Sequence, residues 1–364
     1  MRFRVACVQI NPIFGQVEAN VKKVKQLVSN LNNVDLVMLP ELALTGYNFS
    51  SRSAIEPFLE LKKEGASSKI AADILKRLKC FTLIGYPERE EAGQDYRIYN
   101  SAILTAPDGN FLFNYRKTHL YDTDVEFGCS ENPDRNFSGL EMVLDKEYYL
   151  NRRPEKNYKK VHVAFGICMD LNPYQFNAPF NKYEMALACL ANNSQLILCP
   201  MAWLSTKSPS LVDAEDSTKK AHSEDLQKEF FSSDQVSSTE YNMEPSPLDN
   251  FPYSLKEEQE ASNRPFTPEV PEYSTISYWI LRFFPFLSHF GNPLPKNYHK
   301  VHMIACNRVG LEKDVLFGGS SSIIQFRNVQ GNDHIDNRNP SVVVKGSLGQ
   351  GIEGVLMREI DVDV

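Results

Sequence analysis

Three side chains that together could cleave an amide each follow a predicted strand. Glu41 comes directly after a short apolar strand that ends in proline, Lys117 comes after the second of two paired strands, and Cys168 stands where a buried strand runs into a turn. Because ligands bind outside the carboxyl ends of the strands in α/β sheets, we expect these three groups to meet. A carboxylate, an ammonium and a thiol suit amide cleavage through a thioester.

Each of these groups has a defined part in that chemistry. A free thiol has a pKa of about 8.5, so Cys168 needs a base or a nearby cation to become a nucleophile. Glu41 can accept the thiol proton, later protonate the departing ammonia and then activate water. Lys117 can stabilise the tetrahedral oxyanion together with the backbone N–H of Met169. No histidine is required.

The same residue types also have ordinary structural explanations. Cys168 could be one more buried thiol, since free cysteine is among the most buried residue types. Glu41 could begin a helix, and Lys117 could be a solvated surface lysine. His119 is more often a packed imidazole, and Asp170 could either hold Lys117 or cap a helix start. The shared position of the three groups at strand ends favours the catalytic interpretation.

The elements along the chain alternate between apolar strands and amphipathic helices. This alternation predicts an α/β fold with helices outside the sheets. The order of elements after residue 160 resembles the order before it, so we expect two packed sheets with pseudo-symmetry. Strands are predicted at 3–10, 35–40, 81–86, 99–105, 110–115, 161–168, 195–200, 301–306, 320–326, 342–345 and 354–360, and helices at 17–31, 67–79 and 181–191.

Residues 205–275 do not fit this order. The segment is rich in Ser, Glu, Asp and Pro, and only residues 220–231 have the pattern of a short helix. Strand patterns resume after residue 300. We therefore predict one domain over residues 1–364 with an irregular or partly mobile insertion at about 205–275.

Composition excludes several classes of function. The net charge of −7 disfavours binding to nucleic acid or to an anionic membrane. The apolar segment at 278–287 is too short to span a bilayer and contains Arg282 and Pro285. The seven scattered cysteines lack zinc spacing and suit reduced thiols, so neither a metal nor a cofactor is expected. With no signal or transit peptide evident, we expect a cytoplasmic and possibly also nuclear protein.

Several motifs, in order along the chain, resemble those of the nitrilase superfamily. They are LPELALTGY at 39–47, YRKTHLY at 115–121, GICMD at 166–170, CPMAW at 199–203, ACNRVG at 305–310 and FGGSS at 317–321. The resemblance implies a four-layer α-β-β-α sandwich, with two stacked mixed sheets and helices outside. It also implies that Glu41 is the base, Lys117 the oxyanion stabiliser and Cys168 the nucleophile. From their place beside Cys168, Met169 and Asp170 are predicted to support the site.

Longer segments resemble a fungal branch of that superfamily. They are YRKTHLYDT at 115–123, GICMDLNPY at 166–174, APFN at 178–181, LCPMAWL at 198–204 and YWILRFFPFL at 278–287. Enzymes of this branch convert N-terminal Asn and Gln of proteins to Asp and Glu, which feeds N-degron degradation. The resemblance therefore implies protein or peptide N-termini bearing Asn or Gln as substrates.

One departure from the wider superfamily bears on the substrate. Many relatives that act on small acids have a Cys-x-Asp-x-Arg pattern, whose arginine can bind a carboxylate. Asn172 occupies the arginine position here. A polypeptide N-terminus offers an α-ammonium instead, so we expect acids in the site, Asp170 among them. The candidate substrate-binding residues near the motifs are Asp122, Asp124, Glu126, Asn172 and Trp203.

Alternatives to this assignment stay open at this stage. Asp122, Asp124 and Glu126 could be solvated loop charges. The chain could be a small-molecule amidase or carbamoylase, although the absent arginine disfavours acid substrates. It could also be a non-catalytic binding module whose insertion recruits a partner, although the complete triad disfavours this. The preference between Asn and Gln and the oligomeric state are not determined by the sequence.

Overall fold

The computed structural model describes residues 1–151, 153, 156–231, 240–241, 265–287, 300–328 and 341–364. In these residues two mixed β-sheets stack face to face, and helices cover their outer faces. Of the predicted insertion, residues 232–239 and 242–264 lie outside the described residues.

The first sheet contains strands from both ends of the chain, in the order β16-β1-β2-β4-β5-β6 with β3 beside β4. Its strands are β1 (Arg2–Gln9), β2 (Leu36–Met38), β3 (Glu60–Leu61), β4 (Phe81–Ala92), β5 (Asp95–Thr105), β6 (Phe111–Arg116) and β16 (Gly354–Asp361). β1, β2 and β4 are parallel, whereas β5 is antiparallel to both β4 and β6. β2 and β6 therefore run in the same direction and end at the same edge.

The second sheet has the order β10-β15-β14-β11-β9-β8-β7. Its strands are β7 (Gly139–Met142), β8 (Val161–Phe165), β9 (Leu196–Met201), β10 (Glu240–Tyr241), β11 (Lys300–Asn307), β14 (Ser322–Arg327) and β15 (Val342–Leu348), and a separate hairpin is formed by β12 (Val309–Glu312) and β13 (Val315–Gly318). β8, β9 and β11 are parallel to one another.

The inner faces of the two sheets form the central core. Alternate residues of β1, namely Phe3, Val5 and Cys7, belong to the same buried cluster as the apolar residues of β9 and β11. This follows from the two-residue period of a strand, which sends every second side chain to one face. The Cys306 thiol on β11 lies 3.3 Å from the carbonyl oxygen of Met38 on β2, so the sheets are in direct contact.

The outer layers are helical. The helices are α1 (Val17–Val28), α2 (Arg52–Ile55), α3 (Ala66–Leu78), α4 (Asp122–Glu126), α5 (Glu147–Leu150), α6 (Glu184–Ala191), α7 (Asp216–Phe230) and α8 (Tyr273–Arg282). α1 and α3 cover the first sheet through apolar residues four apart, Val24 with Val28 and Ile70 with Ile74, which share one helix face. α6 and α8 belong to the cluster of the second sheet. No helix among the described residues is long and apolar enough to cross a membrane.

The predicted strands and long helices are confirmed. β4 and β5 are longer than predicted, because they continue as a paired ribbon to the turn between Ala92 and Asp95. The helix predicted at 220–231 is α7, so the described part of the predicted insertion is not wholly irregular. Because β16 pairs with β1 along its full length, we infer that the chain forms one domain.

Gly85 on β4 provides a test of the packing behind the end of β2. A Cβ atom at Gly85 would lie 2.5 Å from the carbonyl oxygen of Pro40 and 2.7 Å from the Cα atom of Glu41. Backbone atoms cannot move aside as a flexible side chain can. We expect Gly85→Ala to lower the free energy of unfolding in urea by about 2 to 3 kcal/mol.

Gly93→Ala is the control for steric crowding. Gly93 lies in the turn between β4 and β5, where a Cβ atom would meet nothing within 4 Å apart from its neighbours along the chain. Its φ of 70° is left-handed, a conformation that alanine adopts at a cost. We therefore expect Gly93→Ala to lower the free energy of unfolding by that cost alone, about 1 kcal/mol. Equal destabilisation by the two substitutions would contradict the packing argument.

Candidate active site

The ammonium group of Lys117 lies between two carboxylates. Its Nζ atom is 2.7 Å from Oε1 of Glu41 and 2.6 Å from Oδ2 of Asp124. The side-chain amide of Asn100 donates to the same two carboxylates, at 2.6 Å to Glu41 and 2.9 Å to Asp124. All four side chains are buried. Each carboxylate therefore receives two donors from the cluster.

Strand ends from both sheets position this cluster. Glu41 follows β2, and its Oε2 atom accepts the backbone N–H of Ala202, which follows β9 of the second sheet, at 2.7 Å. Lys117 follows β6, and its backbone N–H donates to the carbonyl of Asn100 on β5 at 2.8 Å. Asp124 comes from α4, which directs it back under the ammonium. Glu41 and Lys117 therefore lie in contact, and strand ends of both sheets contribute to their cluster.

Cys168 begins a single helical turn shortly after β8, from which Gly166 and Ile167 separate it. Its φ of +43° is left-handed, a conformation that is uncommon for a residue with a side chain. Left-handed backbone costs such a residue about 1 to 2 kcal/mol and is often found at functional sites. The turn brings the thiol into a cavity that also reaches the end of β9 at Ala202.

Asp170 joins the cysteine turn to the loop that carries Lys117. Its carboxylate accepts the N–H of Ile167 at 2.7 Å and the hydroxyl of Tyr115 at 2.8 Å. It also accepts the backbone N–H groups of Thr118 and His119 at 3.0 and 2.7 Å. Asp170 therefore holds the backbone after Lys117, and these bonds occupy both oxygens that we expected to be available to a substrate ammonium.

Burial controls the ionisation of this site. It raises the pKa of the Cys168 thiol well above its usual range, and the negative charge of Glu41 raises it further, while Lys117 lowers it. Burial also raises the pKa of Glu41. Burial opposes the charge on Lys117, but Asp124 and Glu41 raise the pKa of the ammonium well above its usual value. The resting site therefore holds a protonated thiol beside a charged lysine.

A mainly apolar cavity of about 480 Å³, lined in part by aromatic side chains, opens onto Cys168. Its aromatic walls include Tyr47, Tyr121, Trp203 and Tyr278, and the ring centres of Trp203 and Tyr278 are 5.7 Å apart. The side chain of Phe176 at the wall is more than half exposed. A cavity of this size suits a single amino-acid side chain and the first backbone atoms of a peptide.

The predicted substrate-binding residues divide into two groups. Asn172 and Trp203 line the cavity. Asp122, Asp124 and Glu126 do not, so the expectation that these acids face the substrate is wrong. Asp122 and Glu126 are four residues apart on α4, share one helix face and point to solvent, whereas Asp124 points inward to Lys117.

Several residues of the site lacked a sequence signal. Asn100 lies within an antiparallel strand and is brought to Lys117 by pairing between β5 and β6. Tyr121 and Tyr278 become cavity walls only through packing. His119, the histidine nearest the triad in sequence, has its Nδ1 atom 3.0 Å from the carbonyl oxygen of Asn172 and packs as an ordinary buried imidazole.

Arg308 of the motif at 305–310 forms a buried ion pair with Glu312. Arg308 lies 2.5 Å from Glu312 and 3.9 Å from the ring centre of Phe317. Glu312 in turn accepts the backbone N–H groups of Tyr47 and Asn48 at 3.0 and 2.8 Å. The pair therefore holds the segment after Glu41 and with it the Tyr47 wall of the cavity.

The sequence of this chain is similar to those of known carbon-nitrogen hydrolases. The carbon-nitrogen hydrolase family model matches residues 4–163. The protein N-terminal amidase of Saccharomyces cerevisiae is 31% identical over 99% of this chain and 95% of its own length. That of Schizosaccharomyces pombe is 32% identical over 58% of this chain and 73% of its own length.

Two solved structures extend the similarity to the whole chain. N-terminal amidase with an Asn-Glu-Ala peptide is 30% identical, with a TM-score of 0.78 over 100% of this chain and 98% of that chain. N-terminal amidase with a Gln-Gly peptide is 29% identical, with the same TM-score and coverage.

The electrostatic arrangement predicts an unusual effect of Glu41→Gln. Because the Glu41 carboxylate raises the pKa of Cys168, its neutral replacement should favour the thiolate. We expect the pH midpoint of Cys168 alkylation by iodoacetamide to move to lower pH. Peptide mapping by mass spectrometry would separate this thiol from the other six.

Asp122→Asn is the control for that experiment. It also removes one carboxylate, but the side chain is exposed on the outer face of α4. The pH midpoint of Cys168 alkylation in Asp122→Asn should equal that of the wild type. An unchanged or higher midpoint for Glu41→Gln would contradict the assigned charge interaction.

Proposed function

The chain belongs to the protein N-terminal amidase family of carbon-nitrogen hydrolases, and we propose that it deamidates N-terminal Asn and Gln of proteins and peptides. The products are N-terminal Asp and Glu and free ammonia, and the new N-termini enter N-degron degradation. The observation that carries the proposal is the buried set of Glu41, Lys117 and Cys168 at a cavity that admits one side chain. The similar structures with Asn-initiated and Gln-initiated peptides support the substrate class.

In the first step Cys168 attacks the side-chain amide carbon. Glu41 accepts the thiol proton as the sulfur–carbon bond forms, and the amide oxygen becomes an oxyanion. This transfer moves one proton between two buried groups, so the net charge of the site does not change. That route is consistent with a thiol whose pKa is raised rather than lowered.

Lys117 and the backbone N–H of Met169 stabilise the oxyanion in this proposal. The ammonium is held at fixed distances by Glu41 and Asp124, so little reorganisation accompanies the reaction. Asp124 is accordingly a positioning residue for Lys117. Asp170 has the same relation to the cysteine turn, because it bonds both that turn and the lysine loop.

The second half of the reaction reuses Glu41. Collapse of the tetrahedral intermediate breaks the carbon–nitrogen bond, and the protonated Glu41 gives its proton to the leaving nitrogen, which departs as ammonia. A thioester on Cys168 remains. Glu41 then accepts a proton from water as the water oxygen attacks the thioester carbon. Collapse of this second intermediate breaks the carbon–sulfur bond and forms the product acid, and Glu41 returns the proton to the thiolate of Cys168.

Peptides fit this cavity better than small free acids. Among the described residues that line it, none is Lys or Arg, and Asn172 stands where an arginine would bind a carboxylate. A free acid would bring an unpaired negative charge into an apolar site. The proposed setting is the cytoplasm, since all seven cysteines are free thiols.

Matched peptides test the reaction directly. We expect release of one ammonia from an Asn-initiated and from a Gln-initiated peptide, with Cys168→Ala slower by at least about a thousandfold. The N-acetylated peptides should be poor substrates because they lack the α-ammonium. Equal turnover of acetylated and free peptides would contradict N-terminal recognition, and faster turnover of free carboxylate amides would favour a small-molecule amidase.

The thioester should be visible in a quenched reaction. We expect acid quenching during turnover to leave an adduct whose mass equals the peptide minus ammonia. Peptide mapping should place it on Cys168. An adduct on another cysteine would contradict the assignment, and Cys199 is the internal control because it is buried one strand away.

A further inference from the structure

A second carboxylate lies directly behind the cavity wall and has no part in the proposed chemistry. Glu272, at the start of α8, is only 7% exposed. Its Oε1 atom accepts the Thr206 hydroxyl at 2.7 Å and the Thr206 backbone N–H at 2.9 Å. Its Oε2 atom accepts the Thr275 hydroxyl at 2.6 Å. Thr206 and Thr275 both line the cavity that contains Cys168.

These bonds fix the direction of the two hydroxyl groups. A hydroxyl has one proton to donate, and each of these threonines donates it to Glu272. Any hydrogen bond that these two hydroxyls make to a group in the cavity must then use an oxygen lone pair. This part of the wall therefore accepts hydrogen bonds, which suits an N–H donor and not a carbonyl oxygen.

Tyr278 adds a third acceptor of the same kind. It lies three residues after Thr275 on α8, so the two share one helix face. Its hydroxyl donates to the side-chain oxygen of Asn172 at 2.6 Å. A group that binds here thus meets oxygen acceptors and the edge of an aromatic wall.

The charge at this wall is negative and is not neutralised locally. The partners of Glu272 within the described residues are hydroxyl and backbone N–H groups, without a Lys or Arg. The acids that the sequence suggested for binding a cation lie elsewhere: Asp122 and Glu126 in solvent, Asp124 under Lys117. A cation bound at Thr206 and Thr275 would be stabilised through the two hydroxyls by the Glu272 carboxylate.

We propose that Thr206 and Thr275, backed by Glu272, bind the α-ammonium of the substrate's N-terminal residue. The inference rests on the proposed function, in which that ammonium enters the cavity beside the amide that reacts with Cys168. Thr206 is exposed at the cavity wall. Thr206 and Thr275 are thus binding residues, and Glu272 is a positioning residue.

The test compares two peptides that differ only in the ammonium. One begins with Asn, and the other begins with the succinamoyl group, which is Asn without its α-amino group. The full-length Thr206→Val and Thr275→Val variants remove each acceptor and keep the side-chain shape. We expect each to lower kcat/KM for the Asn peptide by about 10- to 100-fold and to change kcat/KM for the succinamoyl peptide less than about twofold.

Glu272→Gln separates charge from structure. It retains the side-chain length at the start of α8 but removes the negative charge, so discrimination between the two peptides should fall in the same direction. Thr267→Val is the matched control, because within the described part of the chain the Thr267 hydroxyl donates to the carbonyl of Pro265 and lies outside the cavity. For Thr267→Val, the ratio of kcat/KM for the Asn peptide to kcat/KM for the succinamoyl peptide should equal the wild-type ratio.

A second readout is available if turnover is slow. Each substitution is combined with Cys168→Ala, and the affinity of the double variant for each of the two peptides is measured by calorimetry. A merely structural role of these residues would lower kcat/KM for both peptides equally, or lower thermal stability alone, and would overturn the subsite. An unchanged ratio in both threonine variants would overturn it as well. A wild-type enzyme that deamidates neither peptide would instead overturn the proposed function, and the subsite with it.

Discussion

The structure depends on keeping one lysine charged in the protein interior. Removing an ammonium from water costs several kcal/mol, and an unpaired buried charge is not tolerated. Lys117 meets this constraint with carboxylates at 2.7 and 2.6 Å, both further bonded by Asn100. Satisfying it requires the end of β2, the end of β6, the middle of β5 and the short helix α4 to converge, so the local fold and the ionisation of the site are inseparable.

The same constraint links the two sheets. Glu41 bonds Lys117 on its own sheet with one oxygen and the backbone of Ala202 on the other sheet with the second. Asp170 makes the reverse connection, from the cysteine turn after β8 to the loop after β6. Two buried carboxylates that cross the interface therefore position Glu41, Lys117 and the turn of Cys168 relative to one another, and neither sheet alone contains all three.

Part of the cavity wall comes from a different part of the chain than the buried ion cluster. The proposed reacting groups follow β2, β6 and β8 of the two-sheet framework, whereas Thr206, Leu211 and Thr275 of the cavity wall lie in the segment that the sequence marks as an insertion. Such a division lets one set of buried charges act on different amides, because the wall can change without disturbing the ion cluster. The hydroxyls of Thr206 and Thr275, bonded to Glu272, belong to this variable part of the wall.

The sequence by itself determined the α/β class, the order of the long elements and the three groups at strand ends, because periodicity and strand termination are local properties. It also indicated the substrate class through Asn172. Only the tertiary structure decided which acids meet which cations. Asp124 and Asp122 are only two residues apart and have similar neighbours in the sequence. Asp124 is nevertheless buried against Lys117, whereas Asp122 is exposed to solvent. Glu272 and Thr206, 66 residues apart, become partners through α8 packing, and such a distant pairing has no local pattern.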